Sequence, residues 1–557
     1  MFKELTYRPL EFRFFSAGVR VMGLAVLVGW LVSPAPQLAL NKAMIMVGGL
    51  LASWLLSTAP TRWIGAAAGW FAVLAFAIAF YFLIAYDWST YRADFALLAR
   101  LGDGLDHLMP AFPLPGIEPN KAGGLLAMFF PFACLFAWNR SRQVLKQTRF
   151  AYYTALAFII FALVMTSSRA AWFSLILGSI SAWAILQLPH KWRLRASVSA
   201  LALIFLIVLM GVSSPKYTDS ALTGFANRMP GESTGESRLE LFTSGLQLIT
   251  DFPITGSGLQ SFAAVYSHYI LAIPHFKFFY SHNLYLDLYL ELGILGIFSW
   301  LLVFGAATVV LLQTPSHTVD DKFTDFLPFC TLASIFTVSL HGLLDDPLIN
   351  GAFSPFFFIV PGFAFLIQKH MFSAGTQYDA RLFFFARKSS TRIFLVGASA
   401  ALILIFWPSL LSSWHANLGA IQMAKVELAD FPSGEWQSGT PIPAMNAAKE
   451  NFSRALQLNP ENRTANHRLG LLAMLEGDYL TALSYLQMAH SVSPTHRGIV
   501  KNLGYTYLWL ENFPAAQQLL SSIPETAQEL KNYQTWWTAQ GNPELSDTAT
   551  RFIDYSK

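Results

Sequence analysis

Long apolar runs dominate the first three quarters of the chain. A helix that crosses the hydrocarbon core of a membrane needs about 20 mostly apolar residues, and eleven stretches meet that requirement. The pattern therefore predicts an all-α fold: a polytopic helical membrane domain over residues 1–413, followed by a soluble helical region. The predicted spans are 14–34, 41–58, 64–86, 122–138, 151–167, 169–188, 196–213, 283–313, 326–344, 352–368 and 393–413.

The pattern changes near Asn446, where amphipathic helix pairs begin and repeat at a spacing of 34 residues. Leu469-Gly470 recurs as Leu503-Gly504, and Ala482 recurs as Ala516. This period, with small residues where paired helices cross, resembles the tetratricopeptide repeat. Residues 446–557 are therefore predicted to form a tetratricopeptide-like domain, joined to the membrane domain by a linker at 414–445.

Tetratricopeptide repeats usually present a concave face to a partner peptide or helix. The sequence leaves two interpretations of residues 446–557 open. They could bind a protein partner, or they could simply cap the membrane domain.

Composition supports the membrane prediction. Of the 557 residues, 54% are apolar and 13% are charged, against about 45–50% and about 25% in ordinary soluble domains. Such a chain is neither disordered nor a purely soluble protein. The two cysteines, Cys134 and Cys330, lie in apolar runs, which excludes a disulfide framework and a thiolate metal site.

Charge predicts the orientation of the chain. The first 413 residues carry a net charge of +7 and the remainder −3. Basic residues fill three loops, near 140–149, 191–195 and 369–392, and with eleven spans these loops share a side with the N-terminus. The positive-inside rule places that side in the cytoplasm, so this basicity does not indicate nucleic-acid binding. The loop 87–121, a long loop at 214–282 and the C-terminal domain are then expected on the outer side.

The long loop, residues 214–282, is too long for a simple connector. Apolar residues recur at helical spacing over 236–251, which predicts a helix lying on the membrane surface. The segment Thr255-Gly256-Ser257-Gly258 predicts a turn. It is not a phosphate-binding glycine loop, because no strand precedes it and no lysine follows.

The end of this loop carries the strongest local motif. His282-Asn283 is followed by nine residues, Gly293, two residues and Gly296. This arrangement resembles the histidine motif of the O-antigen ligase superfamily, which includes O-antigen ligases, O-antigen polymerases and protein O-oligosaccharyltransferases. Two further features are similar to that superfamily: Ser168-Arg169 before an aromatic-containing span, and Arg238 ahead of the glycine-rich turn. The resemblance covers roughly residues 120–370.

The resemblance implies a metal-independent, inverting glycosyltransferase without a cofactor, in the bacterial inner membrane. The N-terminus would be cytoplasmic and the C-terminal domain periplasmic. The donor would be a glycan on undecaprenyl diphosphate, and the acceptor lipid A-core, a growing glycan or a protein. The histidine motif favours a ligase. A minimal ligase lacks a large soluble C-terminal domain, so the repeats favour a polymerase or a protein O-oligosaccharyltransferase.

The chemistry of the residues fits these roles. Negative charge develops on a lipid diphosphate as it leaves, and guanidinium groups can stabilise it with forked hydrogen bonds. Arg169, at the outer edge of a span, and Arg238, in the long loop, are the candidates for donor binding. Histidine suits proton transfer near neutral pH, which makes His282 the candidate general base. Supporting roles are expected for Asn283, which could orient the acceptor, and for Asp287, Glu291, His341 and Asp345.

Each assignment has an ordinary structural alternative. Arg169 could reach from a span end to the membrane interface, Arg238 could pair with a neighbouring glutamate, and His282 could be an interfacial histidine without a role. No metal site is predicted, since the acids of the loop 87–121 lack a paired arrangement. Aromatic residues of the long loop that could stack on sugars are Tyr266, Tyr269 and Tyr280.

Two other functional classes account for part of the sequence. A secondary transporter has this number of spans, but transporters place coupling residues at the bilayer midplane, often in repeated halves. Here the distinctive polar residues lie at one edge and in one asymmetric loop. A membrane-anchored scaffold explains the repeats but gives Arg169, Arg238 and His282 no role.

Overall fold

The computed structural model describes residues 10–91, 95–108, 114–143, 146–189, 192–197, 238–272, 280–314, 322–345, 354–373, 406–431 and 442–556. These residues form helices and their connections. The first twelve helices are α1 (Leu10–Val32), α2 (Pro36–Thr58), α3 (Ile64–Ala85), α4 (Ala96–Leu108), α5 (Pro119–Gln143), α6 (Lys146–Met165), α7 (Arg169–Gln187), α8 (Arg238–Asp251), α9 (Phe262–Leu271), α10 (Leu284–Leu312), α11 (Lys322–Leu344) and α12 (Ser354–Ser373).

Seven of these helices are long and apolar enough to cross a membrane: α1, α2, α3, α5, α7, α10 and α11. They coincide with seven of the eleven predicted spans, and the protein is a multi-pass membrane protein. Two more predicted spans, 151–167 and 352–368, coincide with the shorter apolar stretches of α6 and α12. The predicted spans 196–213 and 393–413 fall mostly outside the described residues, so the total of about eleven stays a prediction.

Small residues let the membrane helices approach closely. α1 packs along α10, α2 along α12 and α7 along α11. A Cβ added at Gly18 of α1 would lie 2.8 Å from the Leu302 side chain, and one at Gly178 of α7 would lie 2.8 Å from the Thr337 nitrogen. Contacts this close leave no room for a larger residue. Small residues are common where membrane helices cross, because association in lipid has no hydrophobic driving force and depends on close packing.

The C-terminal domain is built from helix pairs, as the 34-residue spacing predicts. Gly470 and Gly504 have the same packing role in successive pairs: each lies against a leucine, Leu486 and Leu520, that is also repeated after 34 residues. The remaining helices are α13 (Trp407–Glu427), α14 (Asn446–Leu458), α15 (Arg463–Leu475), α16 (Tyr479–Val492), α17 (Arg497–Trp509), α18 (Phe513–Leu520), α19 (Thr526–Ala539) and α20 (Pro543–Tyr555).

The predicted linker at 414–445 differs from the structure in its first half. Residues 414–427 belong to α13, which packs against α14. Ser412 donates a hydrogen bond to the Ala455 carbonyl at 2.9 Å, and Asn462 donates one to Ser412. α13 therefore connects the membrane domain to the repeats as a packed helix. We call residues 446–556 the tail.

The helix predicted at 236–251 is observed as α8, which begins at Arg238 and packs one of its sides against the tail. Leu241 and Leu248 are buried in a core that also contains Ala465 and Leu469 of the tail. Leu246, on another side of α8, is 40% exposed, and the position of this helix on a membrane surface stays a prediction.

Candidate active site

The turn between α6 and α7 presents Arg169 at one end of the membrane bundle. Ser168 caps α7 by accepting a hydrogen bond from the Ala171 amide, and Arg169 is the exposed first residue of the helix. Ser167 has a left-handed backbone (φ 50°), and its hydroxyl lies 2.7 Å from that of Tyr91. Burial raises the pKa of Tyr91 above its ordinary value, so its hydroxyl stays protonated and can donate to Ser167.

His282 lies just before α10, and hydrogen bonds made by the residues on either side of it fix its backbone conformation. Its φ is 58°, a left-handed conformation in which histidine is among the enriched residues. The Ser281 amide donates to the Asp287 carboxylate at 2.9 and 3.2 Å. Asn283 caps α10 by accepting hydrogen bonds from the amides of Tyr285 and Leu286. The His282 side chain therefore projects from a rigid helix start.

The buried carboxylate of Asp345, at the end of α11, orients the His282 ring. Its Oδ1 lies 3.0 Å from His282 Nδ1, and the ring remains partly exposed. A carboxylate can only accept a hydrogen bond, so this contact places a proton on Nδ1, and in the neutral imidazole Nε2 is then an acceptor. Asn283 adds a second connection to α11 by donating to the Leu343 carbonyl at 3.2 Å.

The first turn of α5 adjoins both of these elements. The Tyr280 hydroxyl donates to Glu118 at 3.0 Å, and the Tyr280 ring lies 4.5 Å from the His282 ring between centroids. The Lys121 ammonium lies 5.4 Å from the centre of the Tyr280 ring and 3.3 Å from Glu118. On the same helix, a Cβ at Gly123 would lie 2.9 Å from the Ser168 side chain. The start of α5 therefore packs between the Arg169 turn and the His282 segment.

The motif glycine Gly293 marks a break in α10. Its φ is 64° and its ψ −159°, so the helix is interrupted there. The turn that follows α8 fills the gap. The Ser257 amide donates to the Leu290 carbonyl at 2.6 Å, and the Ile294 amide donates to the Ile254 carbonyl at 3.2 Å. These bonds replace the helical bond that Ile294 would have made to Leu290.

A buried ion pair holds the same turn from the membrane side. Glu291 lies 2.5 Å from the Lys42 ammonium of α2, and it also accepts a hydrogen bond from the Gln260 amide at 3.2 Å. The Leu259 amide donates to the Gly29 carbonyl at the end of α1. The glycine-rich turn predicted from sequence is thus a structural insert between α1 and the broken α10.

The structure brings together only part of the predicted set. Asp345 contacts the His282 ring, whereas Asn283 caps α10 and donates to the Leu343 carbonyl. The His341 carbonyl accepts from the Asp345 amide at 2.8 Å. Asp287 supports the backbone of Ser281, and Glu291 pairs with Lys42 instead of approaching His282. Arg238 begins α8, and its side chain lies outside the described residues.

Two of the predicted sugar-stacking residues are buried elsewhere. Tyr266 and Tyr269 are each 1% exposed and belong to the core shared with the tail. Only Tyr280 lies beside His282. Sequence reasoning did not assign a role to Lys121, although it directly precedes a predicted span at the edge where Arg169 was expected.

Family comparisons agree with both resemblances. Residues 154–301 match the family model described as O-antigen ligase, and this match includes the Arg169 turn, α8 and the motif from His282 to Gly296. Residues 473–539 match the tetratricopeptide repeat. No curated protein matches the chain. The two matches confirm the resemblance to the superfamily and the repeat nature of the tail.

Proposed function

We propose that this protein is a membrane glycosyltransferase of the O-antigen ligase type. It would transfer a glycan from undecaprenyl diphosphate to an acceptor hydroxyl, with lipid A-core as the favoured acceptor. The observation that carries the proposal is the His282–Asp345 pair, separated from the Arg169 turn only by the start of α5. The family match over these same elements supports it.

The proposed reaction is a single displacement at the anomeric carbon. The acceptor oxygen forms a bond to that carbon, and the bond from the carbon to the diphosphate oxygen breaks with its electron pair leaving on the diphosphate. Nε2 of His282 takes the proton of the acceptor hydroxyl, while Asp345 stabilises the resulting imidazolium through Nδ1. Arg169 stabilises the departing diphosphate by forked hydrogen bonds, and Lys121 adds positive charge beside the reaction.

The direction of the chain in the membrane follows from the same proposal. Lipid-linked glycans of this kind are transferred on the outer face, so the end of the bundle that carries His282 would face the periplasm. The positive-inside argument predicts the same orientation. The tail, which contacts α8, would then lie on the periplasmic side.

A deletion strain tests the function and its acceptor. Polymer that accumulates on undecaprenyl diphosphate, together with bare lipid A-core, would support a ligase. Accumulated single repeat units would indicate a polymerase, and unmodified protein with normal lipopolysaccharide would indicate an oligosaccharyltransferase. Unchanged lipid-linked, lipopolysaccharide and protein glycans would contradict the proposal as a whole.

Replacing Arg169 with lysine should impair the transfer severely. Lysine keeps the positive charge but loses the planar fork that binds a diphosphate at two points. We expect the turnover rate to fall by about 100-fold, measured with purified full-length protein and a lipid-linked donor. The matched control is Arg100→Lys, an exposed arginine of α4. If both variants retained wild-type turnover, Arg169 would have no role in donor binding.

A further inference from the structure

The inner face of the tail carries an unusual set of buried polar side chains. Arg463, His467 and Arg468 of α15 and Lys501 and Asn502 of α17 are all less than a tenth exposed. In tetratricopeptide domains the corresponding face normally receives a partner. Here it contacts residues 247–272 of the same chain, which comprise the end of α8, the glycine-rich turn and α9.

Asp251, the last residue of α8, is the centre of the first contact. Its carboxylate lies 2.9 Å from Arg463 and 3.0 Å from Arg468, and Thr464 donates a hydrogen bond to it at 2.8 Å. Burial would raise the pKa of the Asp251 carboxyl, but the two guanidinium groups hold it below its ordinary value. Asp251 is therefore a buried anion, and such an anion is tolerated only because its partners surround it.

The second contact joins the tail to α9. The Arg468 guanidinium lies 3.2 Å from the centre of the Tyr269 ring, whose hydroxyl donates to Glu427 of α13 at 2.7 Å. Lys501 donates to the Leu271 carbonyl at 2.7 Å, close to the C-terminal end of α9, where a cation is electrostatically favoured. A Cβ added at Gly498 would lie 2.1 Å from the Tyr269 carbonyl oxygen.

These contacts are continuous with the candidate active site. The turn after Asp251 enters the break of α10, and Asn417 of α13 accepts hydrogen bonds from the Ile254 and Thr255 amides of that turn. α10 begins two residues after His282, and α8 begins at Arg238. The tail and α13 therefore contact the segment between Arg238, the predicted donor-binding residue, and His282, the predicted general base.

We propose that the tail is an intramolecular clamp, whose inner face binds residues 247–272 and thereby positions α8, the inserted turn and α9 relative to the reaction site. Asp251 and Gly498 are then positioning residues, because they act through α8 and the inserted turn and do not touch substrate. This inference rests on the proposed glycosyltransferase function. The occupant of the tetratricopeptide face is the protein's own chain, and a separate partner protein would have to displace it.

Gly498→Ala in the full-length protein tests the clamp. Alanine favours a helix over glycine by roughly 1 kcal/mol, so α17 itself gains stability, whereas the new methyl group collides with the Tyr269 backbone. We expect turnover with lipid-linked donor to fall at least about 10-fold, since displacements near 1 Å can cost that much. Hydrogen exchange of residues 262–272 should accelerate in the same variant.

The matched control is Gly504→Ala, which lies on the same helix. Its added Cβ would meet the side chains of Leu520 and Leu519, both inside the tail. An equal loss of turnover in both variants would mean that tail stability alone matters, and would overturn the clamp. Wild-type turnover and wild-type exchange in Gly498→Ala would overturn it as well.

A second, milder variant tests the clamp even if Gly498→Ala fails to fold. Thr464→Val keeps the shape of a buried side chain but removes the hydrogen bonds to Asp251 and to the Thr250 carbonyl. It should produce a smaller loss in the same direction, whereas Thr506→Val, whose hydroxyl bonds only within α17, should not. Equal activity of the two valine variants would count against the clamp. If wild-type protein transferred no glycan, the glycosyltransferase proposal would fail, and hydrogen exchange alone would still decide whether the tail binds residues 247–272.

Discussion

Replacing His282 with alanine should abolish glycan transfer while the protein still inserts and accumulates. The alanine variant has no group to accept the acceptor proton, and a positioned general base contributes about 10²- to 10⁴-fold to such reactions. We therefore expect at least about a 100-fold loss of turnover. The measurement is transfer from a lipid-linked donor by purified protein, together with the surface glycan of cells that express the variant.

The structure supplies a graded series around this variant. Asp345→Asn keeps the size of the side chain that contacts His282 Nδ1 but removes its charge, so the imidazolium loses its counter-ion. Its turnover should fall between wild type and His282→Ala, with the donor KM little changed. His490→Ala, on α16 of the tail, is the control for histidine removal. Normal surface glycan in cells with His282→Ala would exclude His282 as the base.

Much of the local structure around His282 could be predicted from sequence. The apolar run after His282 predicts a span at 283–313, and α10 begins at Leu284, within one residue. Asp345 was a candidate because ionisable residues at span ends are often functional. That it contacts His282, 63 positions earlier in the chain, could not be predicted. Apolar spacing identifies which face of each helix is buried but not which helices become neighbours.

The tail shows the same limit more clearly. The 34-residue spacing predicted its helix pairs, and small residues at the crossings behave as expected. The sequence did not decide whether the tail binds another protein or packs against the membrane domain. The decisive residues are Asp251, Arg463 and Arg468, which as isolated charges in a sequence resemble ordinary exposed residues. Only their mutual burial distinguishes them, and that depends on a contact between segments more than 200 positions apart.

Gly293→Ala should have the largest effect on folding of any single methyl group added to α10. The backbone at Gly293 (φ 64°, ψ −159°) lies in a region that is essentially restricted to glycine, which costs about 1–3 kcal/mol for an alanine. The added Cβ would also lie 2.2 Å from the Ile254 carbonyl oxygen and 2.5 Å from the Thr255 carbonyl carbon. Backbone atoms cannot move aside as a flexible side chain can. The inserted turn must therefore shift, and its hydrogen bonds to Leu290 and Ile294 are lost at roughly 1 kcal/mol each.

These costs together amount to several kcal/mol, a large share of the roughly 5–15 kcal/mol that stabilises a typical protein. We expect little folded Gly293→Ala protein in membranes and a much lower unfolding temperature in detergent. Gly305→Ala on the same helix is the control, because nothing lies within 4 Å of its added Cβ; helix propensity predicts equal or slightly higher stability there. Equal stability of the two variants would mean that the turn after α8 is not inserted into the break of α10. Loss confined to Gly293→Ala would instead establish that chain packing requires the glycine of the histidine motif.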